Sequence, residues 1–146
     1  MCRAGRFFLC FSLYAKDSFN FIHIRESFKF QENNAVLVLA PSMNTDGSFF
    51  LKEPPWVDFA KKNNLAVIAL SYSSAEKDLY RNRKGYYWPE QGSGQALLDE
   101  IRRVYGKDLP ILLYGFSGGA QFASRFVDWC PDRIIAWCAY SAQFWD

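Results

Sequence analysis

Short apolar runs and amphipathic segments alternate along the chain from residue 19 onward. Residues 19–24 alternate apolar and polar side chains, which is typical of a half-buried strand, whereas residues 35–40 are continuously apolar, as in a strand covered on both faces. Residues 65–70, 110–115 and 133–141 repeat the continuous pattern. We therefore predict one half-buried strand followed by four buried parallel strands.

Amphipathic helices are predicted between these strands. The first spans residues 54–64, the second spans residues 93–105 with Gly106 as its C-terminal cap, and the third begins just after Ser117 and ends before Pro131. Right-handed crossovers between parallel strands place such helices on both faces of a sheet. The predicted fold class is therefore α/β, with an open, mostly parallel sheet.

Length and charge narrow the function classes. The 146 residues correspond to about one domain, which we place at residues 19–146 behind an N-terminal segment of residues 1–18. The formal net charge of +2 is too small to indicate binding to nucleic acid or to a membrane surface. No stretch approaches the ~18 consecutive apolar residues of a membrane span. A small-molecule or protein partner is therefore favoured.

The N-terminal segment resembles a secretory signal only in part. Arg3 and Arg6 precede an apolar run at residues 7–11, but Leu13 stands two positions before Ala15, where a small residue is expected. An ordinary first strand or a misplaced start accounts for the same pattern. The sequence leaves secretion open and slightly favours the cytoplasm.

The four cysteines, at positions 2, 10, 130 and 138, show no C-x-x-C spacing, so neither zinc nor a redox motif is indicated. We predict buried free thiols. A disulfide between Cys130 and Cys138 stays open, because the sequence does not give the separation of their Cα atoms. No metal and no cofactor is expected.

A serine flanked by glycines lies between a predicted strand and a predicted helix, in the G-x-S-x-G pattern of Gly115, Ser117 and Gly119. This turn, a nucleophile elbow, brings strand and helix backbones close together, so the two outer positions must be small. The Gly118 N–H, at the helix start, can point at a developing oxyanion. Ligands bind at this end of a parallel sheet, which favours Ser117 as a nucleophile over its alternative reading as a helix N-cap.

With this motif, the loop at residues 39–47 and the strand and loop at residues 66–74, the chain resembles the α/β-hydrolase superfamily. Within the superfamily, the chain resembles, more weakly, the branch of secreted esterases and polyhydroxyalkanoate-depolymerase-like proteins. The resemblance implies ester hydrolysis without a cofactor, with the Met43 N–H as a second oxyanion donor. Pro41 and Ser42 stand where many members have His-Gly, and a simple β-to-α loop is the alternative interpretation of this segment.

The resemblance also implies an acid and a histidine base after Ser117. The chain has one histidine, His23, which precedes the serine and is interpreted as structural. Asp146 fits the position of the acid in some members. The superfamily has further strands and a last helix beyond this point, so we interpret the chain as the N-terminal part of a hydrolase. Three explanations are consistent with this interpretation: a natural truncation, an incomplete gene model or completion by another chain. Without the further strands, the last strand would be an exposed edge through which the chain could self-associate.

Residues 73–94 are polar and aromatic and are predicted to form a long loop over the same end of the sheet. Loops there shape substrate pockets, so Tyr87 and Trp88 are candidates to stack against a substrate. Packing of the two rings against the core is the favoured alternative.

The leading functional hypothesis is a serine esterase in which Ser117 attacks a carboxylic ester. The alternative is an inactive hydrolase-like domain that binds a ligand or partner through the same cleft. A base near Ser117 distinguishes the two hypotheses. An acyltransferase or thioesterase would use the same serine, and the sequence does not separate these from an esterase.

Overall fold

The fold is known from a computed structural model that describes residues 17–23 and 34–142. It contains a five-stranded sheet whose spatial order is β1-β3-β2-β4-β5. The strands are β1 (Ser18–His23), β2 (Ala35–Ala40), β3 (Leu65–Ser73), β4 (Ile111–Phe116) and β5 (Ile134–Tyr140). Strands β2 to β5 are parallel, as predicted, and β1 adds an antiparallel edge beside β3.

The described residues form four α-helices: α1 (Pro54–Lys62), α2 (Glu76–Tyr80), α3 (Ser93–Tyr105) and α4 (Gly118–Trp129). Short 3₁₀ helices span Gly47–Lys52, Pro89–Gln91 and Pro131–Arg133. The ends of two of these helices are set by residues that favour a helix start or a helix stop. Two prolines open α1, and Gly106 closes α3 with a left-handed φ of 68°.

Alternate residues of the central strand β2 belong to two separate hydrophobic cores. Val36 and Val38 face the core formed with α3 and α4, whereas Leu37 and Leu39 face the core formed with α1 and the first 3₁₀ helix. All six residues of β2 are buried. The predicted α/β class, with helices on both faces of an open sheet, is therefore confirmed.

Strand β5 has the apolar sequence of a buried strand but lies at the edge of the sheet. Ile135, Trp137 and Tyr140 are 61%, 47% and 62% exposed. The reason is topological, because β4 is the only described strand that pairs with β5. In the described part of the chain, the last strand is the exposed apolar edge that the resemblance implies.

Besides the predicted burial of β5, two sequence predictions need correction. Residues 73–94 are not one long loop, since they contain α2 and a 3₁₀ turn. The prediction of buried free thiols is also wrong at both described cysteines: Cys138 is free but exposed, and Cys130 is buried but disulfide-bonded. Because Cys138 is free, the Cys130–Cys138 disulfide is not formed.

Candidate active site

Ser117 occupies the sharp turn between β4 and α4. Its backbone adopts φ 52° and ψ −113°, a strained conformation for a residue with a side chain. Its N–H donates to the Tyr140 carbonyl at 2.9 Å, and its own carbonyl accepts from the Ala120 N–H at 3.0 Å. The turn is therefore held by the end of β5 on one side and by the first turn of α4 on the other.

The glycines on either side of Ser117 lie where backbones touch. A Cβ added to Gly115 would lie 2.6 Å from the Gly119 carbonyl carbon and 2.8 Å from the Cα of Ala120. A Cβ added to Gly119 would collide with the carbonyl groups of Ala40 and Pro41, at the end of β2. The first turn of α4 thus packs directly on the ends of two parallel strands, and no larger residue fits there.

The backbone of Gly118, next to Ser117, lies against the backbone of Met43. A Cβ added to Gly118 would lie 2.5 Å from the Met43 nitrogen, which brings the start of α4 against the loop that follows β2. Within the part of the chain that the structure describes, neither the Gly118 N–H nor the Met43 N–H donates a hydrogen bond. Both N–H groups can therefore donate to a group other than the described residues.

The loop that carries Met43 is fixed by Asn44, which the sequence analysis did not single out. The Asn44 side chain donates to the Ser74 carbonyl and accepts from the Ser74 N–H, both at 3.0 Å. The Asn44 N–H donates to the Tyr86 hydroxyl at 3.3 Å. Asn44 has a left-handed φ of 53°, which asparagine tolerates well, so its place in a run of turn-forming residues was the available signal.

Tyr87 lies in the hydrophobic core but reaches the site with its hydroxyl. The side chain is 1% exposed, and its oxygen lies 2.6 Å from the position of a Cβ added to Gly118. The hydroxyl also lies 3.4 Å from that of Tyr80. Burial raises the pKa of Tyr87, and likewise that of Tyr86, so both phenols stay neutral at physiological pH.

Trp88 is half-buried, and its indole N–H donates to the Leu79 carbonyl at 3.2 Å. The guanidinium carbons of Arg125 and Arg83 lie 4.2 and 5.4 Å from the centroid of its ring. Protein groups therefore already occupy the space over the Trp88 ring, which sequence analysis considered as a platform for a substrate.

The backbone register keeps the only histidine away from Ser117. His23 pairs with Ile68, which lies level with Val38 and Leu113 across the parallel strands. Its backbone is thus separated from β4 by the width of three strand spacings, about 14 Å, and lies level with a residue four positions before Ser117. Asp146, the predicted acid, lies outside the described residues.

No group of three or more His, Cys, Asp or Glu side chains among the described residues could hold a metal ion. No helix in the same part of the chain is long and apolar enough to cross a membrane.

The chain was compared with protein families, curated proteins and solved structures, and only the solved structures gave matches. No family model and no curated protein matches the chain. Among solved structures, an acetyl xylan esterase from Aspergillus awamori matches 83% of the chain with a TM-score of 0.58 and 13% identity. The LpqC poly(3-hydroxybutyrate) depolymerase from Bordetella parapertussis matches 83% with a TM-score of 0.55 and 16% identity.

The chain has an α/β-hydrolase fold. The resemblance deduced from sequence is therefore confirmed at the level of the fold. The chain spans 45% and 44% of the lengths of these two structures, so it corresponds to less than half of either protein.

Proposed function

We propose that the chain carries the nucleophile and oxyanion site of a serine hydrolase that acts on carboxylic esters. The single observation that carries this proposal is the strained Ser117 at the start of α4, with the amides of Gly118 and Met43 beside it. Strain at a serine persists only when the surrounding structure holds it, and such strain concentrates at functional sites. The esterase and depolymerase among the similar structures are consistent with this substrate class.

The proposed reaction is acyl transfer through a covalent intermediate. The Ser117 hydroxyl oxygen attacks the ester carbonyl carbon while its proton passes to a general base, and the N–H groups of Gly118 and Met43 hold the resulting oxyanion. Collapse of the tetrahedral intermediate breaks the bond to the alcohol, which leaves with the proton from the base. Water then attacks the acyl-enzyme by the same steps and releases the acid. No cofactor takes part.

The base is the missing member of this site. A serine hydroxyl is a weak nucleophile near neutral pH unless a base removes its proton. The backbone position of His23 argues against it, so we propose that a histidine outside this chain serves as the base. Asp146 as the acid stays a prediction, and so does the assignment of residues 19–146 to one hydrolase-like domain.

The test is covalent labelling of the purified chain with a fluorophosphonate probe in the presence of imidazole, which can act as an external base, followed by mass spectrometry to locate the labelled residue. We expect label on Ser117 that Ser117→Ala abolishes. Ser124→Ala is the matched control, because Ser124 lies on the same helix and only donates to the Gln121 carbonyl at 3.3 Å. A folded chain that stays unlabelled would favour the alternative, an inactive hydrolase-like binding domain.

One specific observation favours a binding role for the edge of the sheet. The exposed apolar side chains of β5 lie beside backbone groups that no described strand pairs. We propose that copies of the chain associate through this edge, since such edges template pairing with another strand. Analytical ultracentrifugation should show an oligomer that Trp137→Lys dissociates. A wild-type chain that sediments as a monomer at high concentration would contradict this.

A further inference from the structure

Two consecutive buried tyrosines, Tyr86 and Tyr87, each reach one backbone segment of the proposed oxyanion site. They are 3% and 1% exposed, and their ring centroids lie 4.8 Å apart. The Tyr86 hydroxyl accepts a hydrogen bond from the Asn44 N–H at 3.3 Å, in the loop after β2. The Tyr87 hydroxyl oxygen lies 2.6 Å from the position of a Cβ added to Gly118, at the start of α4.

The backbone of Tyr86 is held on both sides. Its N–H donates to the Ser74 hydroxyl oxygen at 2.9 Å, and its carbonyl accepts from the Ser93 hydroxyl at 2.8 Å. Ser74 is 8% exposed and Ser93 is fully buried, so water competes little for these two hydrogen bonds. Tyr86 is therefore anchored to the segment after β3 and to the first residue of α3, and its ring projects from a fixed backbone.

The hydrogen bond from Asn44 to Tyr86 acts on the peptide unit next to the Met43 amide. The Asn44 N–H and the Met43 carbonyl belong to one rigid plane, and that carbonyl accepts from the Thr45 hydroxyl at 3.2 Å. A contact that fixes this plane also fixes the Cα of Met43, to which the Met43 nitrogen is bonded. The Tyr86 hydroxyl therefore constrains the position of the Met43 N–H.

Tyr87 occupies the place where this loop meets α4. The Met43 nitrogen and the Tyr87 hydroxyl oxygen both lie against the same point, the position of a Cβ on Gly118. One peptide bond joins Tyr87 to the anchored Tyr86. The tyrosine pair thus contacts both segments whose separation decides whether the two amides can act on one oxygen.

We propose that Tyr86 is a positioning residue for the oxyanion site, whose hydroxyl holds the Met43 amide in place through Asn44. This inference rests on the proposed function, because it gives Tyr86 a part in the reaction of Ser117. Tyr86 acts through the loop and touches no reacting atom. Burial raises the pKa of its phenol, so the hydroxyl keeps this role throughout the physiological pH range.

The first test removes only the hydroxyl. Tyr86→Phe keeps the ring in the core, so the chain should fold, but the loop loses its contact with the ring. A displaced catalytic group costs up to ~100-fold in rate, and we expect labelling of Ser117 by the fluorophosphonate, with imidazole present, to slow at least about 10-fold. Tyr72→Phe is the matched control. It removes an equally buried hydroxyl, which donates to the Ser93 carbonyl at 3.2 Å, and should label at the wild-type rate.

The second test separates positioning of the oxyanion donors from general damage to the turn. Attack on the fluorophosphonate builds negative charge on the phosphoryl oxygen, which the two amides stabilise. Alkylation of the Ser117→Cys variant by iodoacetamide instead forms an S–C bond and breaks the C–I bond, and the charge leaves with iodide. Adding Tyr86→Phe to that variant should leave its alkylation at position 117 unchanged. The exposed free thiol of Cys138 provides an internal reference in the same mass spectra.

Two results would overturn the proposal. One is labelling of Tyr86→Phe at the wild-type rate. The other is an equal slowing of fluorophosphonate labelling and iodoacetamide alkylation, which means that the variant distorts the whole turn.

Amide hydrogen exchange distinguishes failure of this proposal from failure of the proposed function. Loss of one neutral hydrogen bond should accelerate exchange of the Asn44 amide about 2- to 12-fold in Tyr86→Phe, measured by NMR without any reagent at Ser117. Unchanged exchange would show that the Tyr86 hydroxyl does not hold the loop. An unlabelled wild-type chain with accelerated exchange in the variant would instead contradict the reaction proposed for Ser117.

Discussion

The contact between Gly118 and the loop after β2 allows a severe test of the proposed oxyanion site by a single methyl group. In Gly118→Ala, the new Cβ would lie 2.5 Å from the Met43 nitrogen and 2.6 Å from the Tyr87 hydroxyl oxygen. Favourable non-bonded contacts begin near ~3.5 Å, so the Met43 loop must retreat by about 1 Å. The two hydrogen bonds between Asn44 and Ser74 oppose that retreat.

The expected magnitude follows from the displacement of a donor. A displacement of about 1 Å in a catalytic group can cost ~100-fold in rate. Complete loss of one oxyanion donor costs about 10²- to 10³-fold, or roughly 2.7–4 kcal/mol of transition-state stabilisation. We therefore expect Gly118→Ala to lower the second-order rate constant for fluorophosphonate labelling of Ser117 by at least about 100-fold.

The assay needs a control for general destabilisation. Gly106→Ala adds the same methyl group at the C-terminal end of α3, where nothing lies within 4 Å, and its φ of 68° makes the substitution strained. The strain should cost about 1 kcal/mol of folding stability without reaching the site. Labelling of Gly106→Ala should proceed at the wild-type rate.

One result would refute this reasoning. If Gly118→Ala retains the wild-type circular dichroism spectrum and labels within a few-fold of the unaltered chain, the Met43 and Gly118 amides do not act together on the reacting group. A loss no greater than that of Gly106→Ala would lead to the same conclusion.

Three further predictions concern stability and the site loop. Phe122→Ala removes a fully buried ring from the core under α4 and should lower the free energy of unfolding by about 3–5 kcal/mol in urea denaturation. Asn44→Ala loses both hydrogen bonds to Ser74 and leaves a left-handed backbone, so it should cost about 2 kcal/mol or more in the same experiment and slow labelling of Ser117. The Arg102 hydrogen bond holds the pKa of the Asp108 carboxyl below its usual range. The ionised Asp108 therefore stabilises the folded chain fully above its unfolded pKa of about 3.9, and this stabilisation is lost as the pH falls through the lower pKa of the folded chain. Asp108→Asn should therefore make the melting temperature less sensitive to acid between about pH 4 and pH 2 than in the wild type.

The parts of the fold that the sequence predicts well are those set by local burial. The run at residues 35–40 is apolar at every position because β2 is covered on both faces, and the stripe of α3 repeats at helical spacing because one face packs against the sheet. The turn between β4 and α4 is also local, since its glycines and Ser117 are within five positions. These features needed no knowledge of contacts between distant segments.

The features that sequence analysis missed depend on such distant contacts. Helix α2 is only five residues long, too short to show a periodic pattern, and the segment after it folds back on β3 and α4. The pairing of Asn44 with Ser74 joins two loops that are far apart in the chain. The burial of β5 was predicted wrongly for the same reason, because an apolar sequence alone does not show that the strand lies at the edge of the described sheet.

The close approach of α4 to the strand ends sets how freely this region can vary. In a saturation library scored for folding, positions 115 and 119 should return glycine almost exclusively, because any side chain there meets backbone atoms that cannot rotate away. Phe116 lies between them and is only half-buried, so the same library should accept many residues at that position. Among the glycine positions and Phe116, diversity at this turn is thus confined to position 116, which leaves the glycine spacing as the lasting mark of the turn even where the surrounding sequence has drifted.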